Sequence, residues 1–110
     1  MAWLLRDGDV LASLELADST FARVRGLLGR DGIDGALLLT HTRSVHSIGM
    51  RFPIDVAFCD KELVVLDTVS LARHRMAVPR MRARCVLEAR AGAFEQWKLQ
   101  PGDRLEIKGP

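Results

Sequence analysis

Apolar and polar positions alternate through the first part of the chain, WLLRDGDVLASLELAD. Leu14 and Leu16 alternate with Ser13, Glu15 and Ala17, the period-two signature of a half-buried strand. Asp7-Gly8-Asp9 interrupts the run, and Asp-Gly between apolar segments is a strong hairpin signal. The period then changes. In DSTFARVRGLLGRDG, Phe21, Val24 and Leu28 recur at i, i+3 and i+7, which predicts a helix of two or three turns with one apolar face. Asp18, Ser19 or Thr20 can cap it, and Gly29 and Gly32 can stop it. Gly26 falls in its second half. A glycine there costs roughly 1 kcal/mol relative to alanine, so another segment is expected to pack close against that point.

After the helix the pattern returns to strands. GALLLTH reads as a buried strand, and RSVHSIGM as a polar one with a bend at Gly49. PIDVAFCD and LVVLDTVSLA are two strands joined through Asp60-Lys61-Glu62. RHRMAVPR is a loop, MRARCVLEARA another strand, AGAFEQWKL one or two helical turns, and QPGDRLEIKG a turn and a last strand. Strands outnumber helices, and no regular βαβ alternation is visible. The prediction is an α+β protein: a small, mostly antiparallel β-rich fold, a curled sheet or partial barrel, with one or two short helices.

With 110 residues, 48% of them hydrophobic and 27% charged, the chain is expected to be a single globular domain with one core. No apolar run approaches the roughly 20 residues that span a bilayer. Arg6 and Asp7 follow the apolar Ala2–Leu5 too soon for a signal peptide, so a cytoplasmic location is expected. Cys59 and Cys85 form no CxxC pair and sit in apolar stretches, which fits buried reduced thiols.

The net charge of +2 is unevenly spread. Residues 71–90 hold six arginines and one acid, a local charge of +5 that leaves −3 elsewhere. On a continuous strand, Arg80, Arg82 and Arg84 would share a face with Glu88, forming a candidate anion strip. The outer-face alternative is a solvated stripe in which Glu88 offsets repulsion between the arginines. Nucleic acid is disfavoured as a partner, because aromatic residues make up 5% of the chain and base stacking needs exposed ones.

The stretch HTRSVHSIGMRFPIDVAF concentrates candidate chemistry. On a strand, His41 and His46 point to opposite faces and do not form a metal-binding pair, so no metal or cofactor is expected. His46 could act as a base, with Ser44 and Ser47 nearby, but G-x-S-x-G is absent. Asp55 stands among residues that belong in a core. An ionised carboxylate there needs a partner, and Arg25, Arg51 or backbone N–H groups are candidates. Glu88, in CVLEARAG, poses the same problem.

The segments RVRGLLGR, SVHSIGMRFPIDVAF, VLEARAG and PGD together resemble the domain of unknown function family numbered 192, a family of small prokaryotic proteins. The resemblance runs from about Thr20 to Asp103. It implies a compact β-rich fold with a little helix and no established activity. Many relatives look exported, whereas no export signal is expected here, and the CDKELVV hairpin is shorter than the relatives' Asp-x-x-Gly turn. The family pattern singles out Arg23 or Arg25, Gly26, His46, Met50, Asp55, Glu88, Gly92 and Asp103.

Together these residues suggest a non-catalytic binding module. Its polar cluster would comprise Arg23, Arg25, His46, Met50, Arg51, Asp55 and Glu88, bordering a cleft for a small anion or a protein partner. The alternatives are a hydrolase using His46 with Asp55 or Glu88, a purely structural cluster, and weak nucleic-acid binding through Arg80, Arg82 and Arg84.

Overall fold

The computed structural model describes residues 2–109. β1 (Ala2–Arg6) and β2 (Asp9–Ala17) form the predicted hairpin. Asp7 and Gly8 both take positive φ, 53° and 82°, as a two-residue turn matched to strand twist requires. α1 (Thr20–Arg25) then carries the chain to β3 (Ala36–Thr40), which runs parallel to β2. β4 (Ile54–Cys59), β5 (Val65–Leu71) and β6 (Cys85–Arg90) follow, then α2 (Ala93–Trp97) and β7 (Leu105–Lys108).

The seven strands form one sheet in the order β5-β4-β6-β3-β2-β1-β7, antiparallel at every pairing except β2–β3. The sheet curls until its two edge strands meet at one end. Val64 bridges Arg104, Val65 N–H donates to the Asp103 carbonyl at 2.8 Å, and Leu105 N–H donates to the Leu63 carbonyl at 2.9 Å. The result is a half-barrel with two short helices, and the antiparallel reading holds apart from the one β2-α1-β3 crossover.

Strand alternation divides the core between the two faces. Leu4, Leu14, Leu38, Ala57, Leu87 and Phe94 form one cluster, with α2 packed on it. Leu37, Leu39, Ile54, Val56, Phe58 and Val86 form the other, covered by Leu27, Val45, Met50 and Ala83 from the connections. β4 is buried on both faces, which explains its near-continuous apolar run.

Three expectations need correction. The first concerns α1, which has six residues and buries none of them; Phe21 is 74% exposed and Val24 73%. Ser19 caps it through its side chain to Ala22 N–H at 3.1 Å. Gly26 ends the helix at φ 50°, ψ −126°, rather than lying inside it. The reversal at Gly26 hands the buried anchor to Leu27, next along the chain, so the predicted apolar face does not form.

The second and third concern RSVHSIGM and MRARC, which are not regular strands. RSVHSIGM pairs instead with the loop after β5, where Ser47 N–H donates to the Arg75 carbonyl, Ala77 N–H to Val45 and Arg80 N–H to Arg43, while Arg84 takes Thr42 N–H on its carbonyl and donates its own N–H to Cys59. Pro79 has no N–H to donate, and His41 and His74 take positive φ, so no continuous ladder forms. β6 therefore begins only at Cys85, and Arg80, Arg82 and Arg84 do not line a strand face.

Candidate functional site

Register decides which polar residues can meet. Glu88 on β6 pairs with Leu37 of β3 on one side and Val56 of β4 on the other. Cross-strand partners share a face, so its carboxylate stands among apolar side chains. Asp55 pairs instead with Ser70 and Ala89, on the opposite face of the same sheet. The two acids therefore cannot belong to one cluster.

Asp55 is fully engaged. It accepts from Ser70 Oγ at 3.0 Å, from Gly92 N–H at 3.0 Å and from Phe94 N–H at 3.1 Å. These bonds fasten the start of α2 to β4 and explain a carboxylate in an apolar strand: backbone donors compensate its burial.

Glu88 has the reverse environment. It is 3% exposed, and its Oε1 has no hydrogen-bond partner among the described residues. Burial pushes its pKa up to about 7. It faces a cavity of about 70 Å³. The wall includes Leu27, Leu39, Val45 and Met50, all buried. The polar lining residues are Arg23, Arg25, Thr42, Ser44 and His46. Gly26 closes one side. A Cβ at this position would lie 3.5 Å from Glu88 Oε1 and in a backbone conformation that L-residues rarely adopt. The close approach expected at Gly26 is therefore found, with the carboxylate as the neighbour.

The predicted cluster is thus divided. Arg23, Arg25, His46, Met50 and Glu88 line one cavity. Arg23 turns its guanidinium away, donating to the Asp18 carbonyl at 2.7 Å and reaching Thr20 Oγ1 at 3.5 Å. Arg25 is exposed and makes no side-chain hydrogen bond among the described residues. Arg51 pairs with Asp31 at the exposed surface, 2.9 Å apart. Arg80 forks onto Asp67 at 2.7 and 3.0 Å and lies 4.7 Å over the Phe58 ring, as a clamp on β5. That pair holds the Asp67 carboxyl below its usual range. Arg84 donates to the Met81 and Ala83 carbonyls, leaving Arg82 alone of the three without a side-chain bond among the described residues.

Ser47 and His46 both have hydrogen-bond partners. Ser47 is buried; its hydroxyl accepts from Arg75 N–H at 2.9 Å and donates to the Ala72 carbonyl, tying the segment before β4 to the loop after β5. His46 Nδ1 accepts from Ile48 N–H at 3.2 Å, which directs any proton of the neutral ring to Nε2. No nucleophile is bonded to His46 among the described residues. Thr42 is a lining residue that the periodic pattern did not single out; its Oγ1 donates to the Thr40 carbonyl at 2.9 Å and keeps lone pairs free. No group of three or more His, Cys, Asp or Glu suited to a metal ion occurs among the described residues, and no described helix is long and apolar enough to cross a membrane.

Comparison with known proteins agrees with the fold. A UPF0127 protein of Pyrococcus abyssi is 31% identical over 98 residues, covering 84% of each chain. A UPF0127 protein of Pyrococcus furiosus is 32% identical over 103 residues, covering 89% of each. The crystal structure of a protein of unknown function from Novosphingobium aromaticivorans superposes with a TM-score of 0.80 at 16% identity, over 96% of this chain and 82% of that one. At these identities the structural likeness speaks for the fold alone. Residues 3–107 match the family DUF192, described as Uncharacterized ACR, and the chain belongs to that family.

Proposed function

We propose that this protein is a non-catalytic binding module whose site is the cavity over Glu88. The observation that carries this reading is the buried carboxylate oxygen without a partner. An unmade hydrogen bond at a buried acceptor costs about 1–3 kcal/mol, more for a charged group. Asp55 demonstrates that this sheet can satisfy a buried carboxylate with backbone donors. Glu88 is left open beside space for a small group, which supports a bound partner as the missing donor. A small-molecule screen on labelled protein tests it. Hits are expected to perturb the amides of Gly26, Ser44 and Glu88, and a screen whose hits all map elsewhere would remove the reading.

A second reading, a protein partner, has its own support. Val24 lines the cavity and is exposed; Met76, 72% exposed, bridges His46 across the irregular pairing. Exposed apolar side chains therefore stand on one lining residue and on the backbone partner of another. Replacing Val24 and Met76 by serine would weaken a protein complex and leave small-ligand binding nearly intact, which separates the two readings in a pull-down paired with a ligand titration.

A further inference from the structure

The floor and the mouth of the cavity carry opposite charge preferences. At the floor, Glu88 Oε1 is an unpartnered acceptor between Leu37 and Val56. A second acceptor stands in the lining: Thr42 Oγ1 spends its proton on the Thr40 carbonyl and offers lone pairs only. At the exposed side, Arg25 has a guanidinium without a hydrogen-bond partner among the described residues, and Ser44 and His46 add donors. An anion pushed to the floor would meet a carboxylate in a poorly solvated site, and like charges repel most strongly there. A plain cation would satisfy the floor but meet Arg25 on the way.

The geometry points to a small zwitterion as the ligand: a primary ammonium bound inward at Glu88 and Thr42, its anionic group held at the mouth by Arg25. This rests on the binding-module reading above and takes the place of the small anion expected for the Arg/His/Asp/Glu cluster. The size fits. A cavity of about 70 Å³ exceeds what a single water needs and has room for an ammonium and a short stem with the anion left at the opening. The charged and titratable groups around the carboxylate are Arg23 and Arg25 from the α1 side and His46 from the segment after β3; β3 and β4 contribute apolar side chains beside it, Leu37, Leu39 and Val56. Ionised Glu88 is the binding form, so affinity should fall by roughly tenfold for each pH unit below about 7.

Amide-resolved titration of the full chain at pH 8 with β-alanine, ethylammonium and propionate tests the assignment. β-Alanine should shift Gly26, Ser44 and Glu88 saturably and bind at least tenfold tighter than either half-molecule. Glu88→Gln should weaken β-alanine at least tenfold. Arg25→Ala, at an exposed position that the fold does not use, should bring β-alanine down to the level of ethylammonium. Propionate binding as well as β-alanine would overturn the zwitterion while keeping the cavity as a binding site. Ethylammonium binding as well as β-alanine would do the same by removing the role of the mouth. No shift with any of the three, together with an empty wider screen, would end both readings.

Discussion

Two buried carboxylates on neighbouring strands have opposite fates, and each predicts a different response to mutation. Glu88 has a folded-state pKa of about 7 against 4.5 for the free group. A raised acid pKa means the folded state holds the proton longer than the unfolded state does. The associated stability is fully present below about pH 4.5 and is lost as pH rises through about 7, amounting to about 3 kcal/mol. Denaturant melts across pH 5–8.5 should show that fall, and Glu88→Gln should flatten it. Asp55→Ala should cost roughly 3 kcal/mol, because charge-assisted bonds to Gly92 and Phe94 are lost and the buried Phe94 N–H is stranded. A loss under 1 kcal/mol in the same melts would contradict the fastening role. The sequence exposed both acids as residues out of place. It could not say that their faces differ, because that depends on register across three strands.

At the scale of elements, Gly26 joins the short helix to the site. Its φ of 50° with ψ −126° suits glycine, and its open side touches Glu88. Gly26→Ala should destabilise the fold by about 1–3 kcal/mol through backbone strain. The added methyl group would also narrow the cavity, so ligand shifts should weaken even in the folded fraction. The hairpin at Asp7-Gly8 and strands β3, β4 and β5 were legible because turn chemistry and apolar runs agree there. The helix was misjudged because Phe21 and Val24 have the spacing of a core face yet remain in solvent. Period alone does not say whether anything covers a face. Residues 43–50 and 81–84 read as strands in the sequence because their polar and apolar residues alternate. Residues 43–50 bond instead to residues 74–80 of the loop after β5, across a positive-φ histidine and a proline, a long-range pairing that no local window contains.

For the whole molecule, the half-barrel depends on a closure between its edge strands that is narrow. Asp103 organises it: its carboxylate takes Arg6 at 2.9 Å and Gln100 N–H at 3.0 Å, while its carbonyl takes Val65 N–H. Asp103→Ala should speed amide hydrogen exchange at Val65 and Leu105 by about tenfold or more and leave the central β4–β6 amides unchanged, since edges open locally at lower cost than cores. Uniform acceleration would mean that the closure and the core unfold together. The mostly antiparallel, β-rich architecture followed from strand count and spacing. The parallel β2–β3 neighbour and the meeting of β5 with β7 did not, because both are choices between partners far apart in sequence.

The opposite placement of Asp55 and Glu88 also bears on how the chain avoids folding wrongly. A slip of one residue between strands turns every side chain to the other face. If β4 slipped by one against its neighbours, Asp55 would point among Ile54's present companions, away from the Gly92 and Phe94 donors. A slip of β6 would move Glu88 out of its cavity and under α2. Apolar strands such as these tolerate misalignment well, because one branched residue packs much like another. The two acids are the positions at which misalignment is penalised, so each works as a key that only the native register accepts.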